Sequence, residues 1–187
     1  MPGTPRLFLC FLSSVLCLLC TVSLVLAQQS TAANVFADGV GKYVQMLQNL
    51  EGSVPAQKPT NESEEIADRQ HQLTGVIANA RRGAYEGEIF TNEVAEQFRK
   101  IIRKAFQEPG GQAMRKTIQE RDPVKRIVLK VNEVYPDDKP RTTMPPTLLS
   151  RLPVLPKELA YRIIGHALVL QGTRTNLIVD FIPNAIP

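Results

Sequence analysis

The chain has 187 residues, of which 22 are Lys or Arg and 18 are Asp or Glu, so its formal net charge is only +4. A nucleic-acid-binding surface would show clustered basic residues with stacking aromatic side chains, whereas here the charges of both signs are mixed. The composition therefore argues against a nucleic-acid partner and favours an ordinary solvated surface.

An apolar segment, Leu7 to Ala27 (LFLCFLSSVLCLLCTVSLVLA), lies close to the N-terminus. It is typical of a secretory signal peptide with cleavage after Ala27, which divides the chain into a signal peptide, residues 1–27, and a single mature domain, residues 28–187. About 20 apolar residues can also span a bilayer, so an uncleaved anchor on an envelope-associated structural protein is an alternative. We expect a secreted or periplasmic protein that contacts a membrane only if this segment is retained.

The cysteines support this division of the chain. Cys10, Cys17 and Cys20 all lie within the apolar segment, so the mature chain has no cysteine. We therefore expect no disulfide, no thiolate metal site and no cysteine nucleophile in it. An exported domain without disulfides depends on its hydrophobic core, and residues 28–187 are enough to form one such domain.

Residues 28–122 are predicted to be helical. Apolar residues occupy one half of a helical wheel over residues 32–50, which predicts a first amphipathic helix. A second helix is expected to begin near Ser63, and a third to follow an N-cap at Thr91 or Asn92. A short fourth helix completes this part of the chain.

The apolar pattern changes period after Pro123. Apolar and polar residues alternate over Arg126 to Val134, which predicts a strand. The following segment, YPDDKPRTTMPPTLLSRLPVLP, contains six prolines. Because proline disrupts both sheet and long helix, we expect an extended, polyproline-like strap with one helical turn at Thr147 to Arg151.

The C-terminal end is predicted to form a β-meander. Its three strands are expected at Leu159–Ile164, Ala167–Gln171 and Asn176–Ile182. Tight turns at Gly165-His166 and at Gly172 to Thr175 would connect them. The predicted fold class is α+β, with three or four amphipathic helices packed on a small, mainly antiparallel sheet of three or four strands.

Asp180 interrupts the apolar run of the last strand, TNLIVDFIPNAIP. A four-residue hairpin loop would set Asp180 opposite Ala167, and a three-residue loop would set it opposite His166; either register brings Arg162 within diagonal reach. We expect a structural role, in which the carboxylate pairs with Arg162 or His166, or accepts backbone N–H groups, and fixes the register of the strand.

A catalytic interpretation of the same residues is the alternative. Asp180 could orient His166 as the general base of a hydrolase, acting on Ser150 or on a water molecule. Ser150 is the one serine in the C-terminal half, and it does not lie in a G-x-S-x-G nucleophile elbow. We therefore assign no catalytic residue and retain His166, Asp180 and Ser150 as candidates.

The sequence predicts neither a metal site nor a cofactor. His71 and His166 lie in different halves of the chain, and neither belongs to an H-x₃-H or H-E-x-x-H pattern. The one glycine-rich stretch, Pro109-Gly110-Gly111, is better interpreted as the end of a helix than as a phosphate-binding loop.

Three stretches carry a resemblance: VNEVYPDD, MPPTLLSRLPVLPKELAYRIIGHALVLQ and NLIVDFIPNAIP. Over about residues 128–187 the chain resembles the C-terminal half of a group of uncharacterised exported bacterial proteins. The resemblance implies a bacterial, envelope or extracellular setting and implies no activity.

We therefore expect a non-catalytic exported domain that binds a protein partner or a small ligand. An apolar extended segment laid along a sheet can form the edge of a groove, so the proline-rich strap and the adjoining sheet are the predicted binding surface. The candidate binding residues are Leu148, Leu149, Leu152 and Arg162. The hydrolase and the envelope-anchored structural protein remain the alternatives.

Overall fold

The fold is known from a computed structural model. It describes residues 31–52, 63–120, 128–136 and 142–187. The predicted signal peptide and all three cysteines lie outside the described residues, as does the beginning of the strand predicted at Arg126 to Val134.

The first amphipathic helix is confirmed. The described part of helix α1 covers residues 31–51. Phe36, Val40, Tyr43 and Leu47 recur at helical spacing and are buried, because one face of α1 packs on the rest of the domain. A Cβ at Gly39 would lie 3.4 Å from the Ile89 side chain, so a small residue at this position lets α1 approach Ile89 closely.

Helices α2 (Ser63–Ala80) and α3 (Asn92–Gln107) follow, and both begin where the sequence predicts. The Thr91 hydroxyl accepts a hydrogen bond from the backbone N–H of Val94 at 3.5 Å and caps α3. The buried face of α3 consists of Val94, Ala95, Phe98, Ile102, Ala105 and Phe106. Residues 81–91 form an irregular α2–α3 connection.

The end of α3 depends on two glycines. Gly110 has a positive φ of 97°, which glycine adopts without steric cost. A Cβ at Gly111 would overlap the carbonyl group of Phe106, so only glycine fits there. The chain then turns into helix α4 (Gly111–Glu120), which confirms that Pro109-Gly110-Gly111 ends α3.

The described strands form one antiparallel sheet in the order β1-β2-β3-β4. Their bounds are β1 Thr142–Thr143, β2 Leu159–Ile164, β3 Ala167–Gly172 and β4 Ile178–Ile182. Arg162 faces Val169 and Ile164 faces Ala167, as the two-residue turn at Gly165-His166 predicts. With its helices mostly N-terminal and its sheet C-terminal, the domain is α+β, as predicted.

The prediction of a strand from Arg126 to Val134 is wrong for residues 128–134, the part of it that the structure describes. This stretch is irregular and contains a single bridge, from Val134 to Leu177. Asn132 has a positive φ of 66°, which interrupts an extended strand. Its side-chain amide instead donates to the carbonyl oxygens of Ala78 (2.8 Å) and Arg81 (3.0 Å), which closes the C-terminal end of α2.

The continuous proline-rich strap is not confirmed. Its described part contains β1 and a short helix, α5 (Pro146–Leu149), where one helical turn was predicted. Residues 137–141 lie outside the description. Prolines at the start of α5 are compatible with helix, because the first N–H groups of a helix have no intrahelical partner. Residues 153–156 have no regular structure.

Both faces of the sheet are covered. The main core joins the helices to one face, with Phe98 at its centre in ring contact with Phe36, Phe90 and Tyr161 at centroid distances of 5.0, 5.2 and 6.1 Å. A second cluster covers the other face and consists of Tyr135, Ile164, Ala167, Val169, Ile178 and Phe181. A carboxylate on β4 therefore faces protein on either side of the sheet.

Candidate functional site

Asp180 lies in β4 with none of its surface exposed. It faces Leu170, whereas Ile178 faces Gln171, so Val179 is the extra residue of a β-bulge. The prediction that Asp180 faces Ala167 or His166 is wrong. The longer hairpin loop and the bulge displace β4 relative to β3 by amounts that a simple hairpin count does not include.

Both oxygens of the Asp180 carboxylate are hydrogen-bonded to backbone N–H groups. Oδ1 accepts from Gly87 at 2.9 Å and from Phe181 at 2.8 Å. Oδ2 accepts from Ile89 and Phe90, both at 2.8 Å. These bonds confirm the structural interpretation in its backbone N–H form, and they bind the α2–α3 connection to the sheet.

Arg81 binds the same connection from the other side. Its guanidinium is buried, and Nη2 donates to the Glu88 carboxylate at 2.7 Å and to the Val179 carbonyl at 3.0 Å. That carbonyl belongs to the bulged residue, where the ladder of sheet hydrogen bonds is interrupted. The guanidinium also lies over the ring of Tyr43, 5.2 Å from its centroid. Arg81 thus links α1, the α2–α3 connection and β4.

The three candidate catalytic residues do not form a triad. His166 is exposed at the β2–β3 turn, and its Nδ1 lies 3.0 Å from the carbonyl oxygen of Ile186. Ser150 is also exposed, and its hydroxyl donates to the carbonyl of Thr147 at 3.1 Å. Because Asp180 faces Leu170, it lies about 13 Å from His166 along the strand direction.

Arg162 lies on the opposite face of the sheet from Asp180. It pairs with Val169, which belongs to the second hydrophobic cluster, whereas Asp180 pairs with Leu170, which belongs to the main core. The Arg162 guanidinium donates to the Tyr161 carbonyl at 3.2 Å. The diagonal contact predicted between Arg162 and Asp180 is therefore wrong, because the two side chains leave the sheet in opposite directions.

The candidate binding leucines separate into two groups. Leu148 and Leu152 are buried in the main core, so they stabilise the fold and are not available to a partner. Leu149 is exposed on the outer side of α5. Leu149 is therefore the only one of the three predicted binding leucines that lies on the surface.

An apolar groove of about 350 Å³ lies beside residues 153–156, between them and α1. The α1 side is formed by Ala33, Phe36, Ala37, Val40, Gly41, Val44, Gln45 and Gln48, and the other side by Pro153, Val154 and Pro156. Among the described residues, no charged side chain lines it. Val154, at the rim, is 97% exposed.

The sequence prediction placed a groove edge at the proline-rich segment but missed the α1 side. The signal it overlooked is the series Ala33, Ala37 and Gly41, which are small residues four positions apart on one side of the helix. Small side chains leave room for an occupant along that side, whereas the helical wheel considered only where large apolar residues recur.

Tyr161 holds the far wall of the groove in place. Its hydroxyl donates to the carbonyl oxygen of Pro153 at 3.1 Å, and its ring packs against Phe98 in the core. Burial raises the pKa of the Tyr161 phenol well above its ordinary value, so the hydroxyl remains a donor even at alkaline pH.

Tyr43, on the buried side of α1, is a second tyrosine of this kind. Burial raises the pKa of its phenol from 10.0 to about 12, and the nearby positive charge of Arg81 opposes this shift to a smaller extent. The phenol is therefore neutral in the folded protein at any physiological pH.

Metal binding, membrane crossing and similarity to known proteins all bear on the function. Those residues contain no group of three or more His, Cys, Asp or Glu side chains placed to hold a metal ion. They also contain no helix that is both long and apolar enough to cross a membrane. No family model matches the chain, and no curated protein or solved structure shows significant similarity to it. The groove is thus the feature from which a function can be argued.

Proposed function

We propose that the protein is an exported, non-catalytic domain that binds an apolar partner segment or a small apolar ligand in the groove between α1 and residues 153–156. The observation that carries this proposal is an apolar groove of about 350 Å³ on the surface of the domain. Ligand sites in proteins typically measure about 300–1,000 Å³ and are mostly apolar, with a few polar groups that orient the ligand.

The lining of the groove defines the chemistry of the occupant. Since none of the described lining residues is charged, a charged ligand would lose its hydration without gaining a partner from them. Gln45 and Gln48, toward the C-terminal end of α1, supply the polar groups. Their amides can both donate and accept hydrogen bonds, as a peptide backbone or a ligand carbonyl requires. The preferred occupant is therefore uncharged and largely apolar.

The walls of the groove support a site that exists before binding. Pro153 and Pro156 have restricted backbones, and the bond from Tyr161 to Pro153 fixes one of them to the core. On the other side, Phe36 stacks on Phe90 with 5.6 Å between ring centroids. Walls held in this way lower the conformational entropy that binding would otherwise cost.

The contacts of the candidate catalytic residues support a non-catalytic role. Asp180 already accepts four backbone N–H groups, so its carboxylate is committed to structure. His166 directs Nδ1 to the Ile186 carbonyl, away from any carboxylate or hydroxyl of the proposed triad. No contact among the described residues favours the hydrolase alternative.

Export of the protein is proposed from the N-terminal sequence alone, and the resemblance suggests a bacterial host. The apolar run that ends at Ala27 predicts a mature chain beginning at Gln28. Mass spectrometry of the protein from the envelope and the medium of its host tests this directly. A product that begins at Gln28 supports secretion or a periplasmic location, whereas a full-length product in the membrane supports the anchored alternative.

A matched pair of glycine substitutions tests binding in the groove. Gly41 in α1 lines the groove and Gly75 in α2 does not. Both are exposed helical positions where a Cβ would meet no atom within 4 Å, so a side chain can leave the backbone at either one without a clash at its Cβ. The leucine of Gly41→Leu would extend into the groove, whereas that of Gly75→Leu would extend into solvent.

The probe is N-phenyl-1-naphthylamine, an uncharged apolar dye whose fluorescence rises in apolar sites. We expect the wild-type protein and Gly75→Leu to bind it equally, and Gly41→Leu to bind at least about tenfold more weakly, which corresponds to about 1.4 kcal/mol. Equal binding by all three proteins would place the dye elsewhere, and no binding by any of them would contradict the proposal for small ligands.

A further inference from the structure

A small cavity lies where α1 meets the β3–β4 loop, residues 173–177. It measures about 10 Å³, and its lining includes Tyr43, Gly172 and Thr175. Glu51 and Arg174, which form an ion pair, also border it. This cavity is separate from the apolar groove and shares no lining residue with it.

The Tyr43 side chain, which lines this cavity, carries a buried hydroxyl. Tyr43 is only 5% exposed, and its hydroxyl oxygen makes no hydrogen bond to any of the described residues. A buried hydroxyl without a hydrogen bond is costly, and in native proteins such groups are almost always satisfied by protein atoms or by an ordered water molecule.

Gly172 shows that the Tyr43 hydroxyl faces the same space as a second hydroxyl. A Cβ built on Gly172 would lie 3.5 Å from the Tyr43 oxygen and 2.9 Å from the Thr175 Oγ1. The carbonyl oxygen of Leu177 lies 3.9 Å from the same point. Because glycine has no side chain, three oxygen atoms border a space that no atom of the described residues fills.

We infer that a single buried water molecule binds in this cavity and bridges Tyr43 to Thr175. About 10 Å³ is the room that one water needs, and such a water typically has two to four polar partners. The Tyr43 hydroxyl donates to the water oxygen, and the water donates to Thr175 Oγ1 and toward the Leu177 carbonyl. The bridge fastens α1 to the β3–β4 loop, and the ion pair between Glu51 and Arg174 covers it.

A crystal structure of the exported protein that resolves ordered waters tests the site directly. We expect a water peak within hydrogen-bonding distance of both hydroxyl oxygens, in the wild-type protein and in Tyr161→Phe. The peak should be absent or displaced in Tyr43→Phe. A wild-type structure in which the Tyr43 hydroxyl bonds directly to a protein atom, or in which the cavity is closed, would overturn the inference.

A double-mutant cycle tests the bridge in solution. If one water joins the two hydroxyls, the effect of the double variant on the equilibrium constant of unfolding differs from the product of the effects of Tyr43→Phe and Thr175→Val. We expect this difference to be about twofold or more. The control cycle pairs Tyr161→Phe with Thr175→Val and should be additive, because the Tyr161 hydroxyl bonds to Pro153 instead. If Thr175→Val does not fold, Thr175→Ala replaces it in both cycles. Additivity in the first cycle would contradict the bridge.

Discussion

The surroundings of Asp180 and the groove beside α1 are opposite exceptions to the usual distribution of polar and apolar groups. Asp180 is a carboxylate that is fully buried, and Val154 is a large apolar side chain that is 97% exposed. The carboxylate finds four N–H donors inside the domain. No described residue covers Val154 or fills the groove next to it.

The two regions differ in whether the described residues satisfy them. A buried charge is tolerated when its hydrogen bonds are made within the protein, so Asp180 needs nothing from outside. Fully burying a valine side chain contributes about 1.5–3 kcal/mol, and none of the described residues supplies this contribution at Val154, so an occupant of the groove can. The sequence drew attention to Asp180, yet the groove is the better candidate for function.

The largest effect that would test this comparison is the loss of the Asp180 carboxylate. Asp180→Asn keeps the size of the side chain but replaces one acceptor oxygen with an NH₂ group, which faces backbone N–H donors. We expect a loss of about 3–5 kcal/mol in the free energy of unfolding, measured by urea denaturation. Asp38→Asn is the control, because Asp38 is exposed and pairs with Lys42 on the surface of α1. Equal losses for the two variants would contradict the structural role of Asp180.

Alkaline pH should destabilise the protein through its buried tyrosines. The Tyr43 phenol has its pKa raised from 10.0 to about 12 in the folded state, so the unfolded chain releases this proton first as pH rises. Stability from this group is complete below about pH 10 and falls by about 2–3 kcal/mol between pH 10 and 12. The raised pKa of Tyr161 acts in the same direction.

Two tyrosine variants separate this effect from general alkaline unfolding. In urea denaturation at several pH values, Tyr43→Phe should reduce the decline above pH 10. Tyr85→Phe should leave it unchanged, because Tyr85 is exposed. Identical pH profiles for the two variants would show that burial of Tyr43 does not govern the decline.

Arg81→Lys should cost about 2 kcal/mol in the free energy of unfolding, because lysine cannot bond to Glu88 and Val179 while lying flat over Tyr43. The control is Arg82→Lys at the neighbouring exposed position, which should change stability by less than about 0.5 kcal/mol. Thermal or urea denaturation measures both, and similar values would show that the guanidinium contacts contribute little.

The smallest expected effect on stability belongs to the groove. Gly41→Leu and Gly75→Leu should each stabilise their helix by up to about 1 kcal/mol, since leucine favours helix over glycine and a Cβ at either position meets no atom within 4 Å. If both variants have a higher melting temperature but only Gly41→Leu loses dye binding, the loss of binding is not caused by a loss of stability. A large loss of stability in Gly41→Leu would mean that the groove is already closed.

Local patterns predicted most of the helices and strands. The apolar face of α1, the cap at Thr91 and the glycine turn at Gly165 each depend on residues a few positions apart, and each is confirmed. Asn132 could not be interpreted in this way. Its role is to close the end of α2, more than 50 residues earlier in the chain, and no periodic pattern encodes that contact.

The type of hydrogen-bond partner that Asp180 needs could be predicted, but the identity of its partners could not. The sequence indicated that a carboxylate in an apolar strand needs hydrogen-bond partners, and backbone N–H groups were one stated possibility. Its partners at Gly87, Ile89 and Phe90 lie about 90 residues away, in a connection with no distinctive motif. The bulge at Val179, which sets the register, likewise has no glycine or proline to mark it.

The groove lies beside the proline-rich segment, but none of the four predicted binding residues lines it. The proline-rich segment was expected to form one edge, and Pro153, Val154 and Pro156 do so. Leu148 and Leu152 were assigned to binding because they are apolar and lie in that segment, but α5 turns them into the core. Apolar character alone does not tell which side of a short helix faces the interior, so packing decided this outcome.

The most direct test of the central claim is NMR mapping of N-phenyl-1-naphthylamine on the isotope-labelled protein. The proposed function predicts that backbone resonances of residues 33–48 and 153–156 shift on titration, and that these shifts disappear in Gly41→Leu but persist in Gly75→Leu. Shifts confined to other parts of the domain, or the same shifts in both variants, would contradict the assignment of the groove as the binding site.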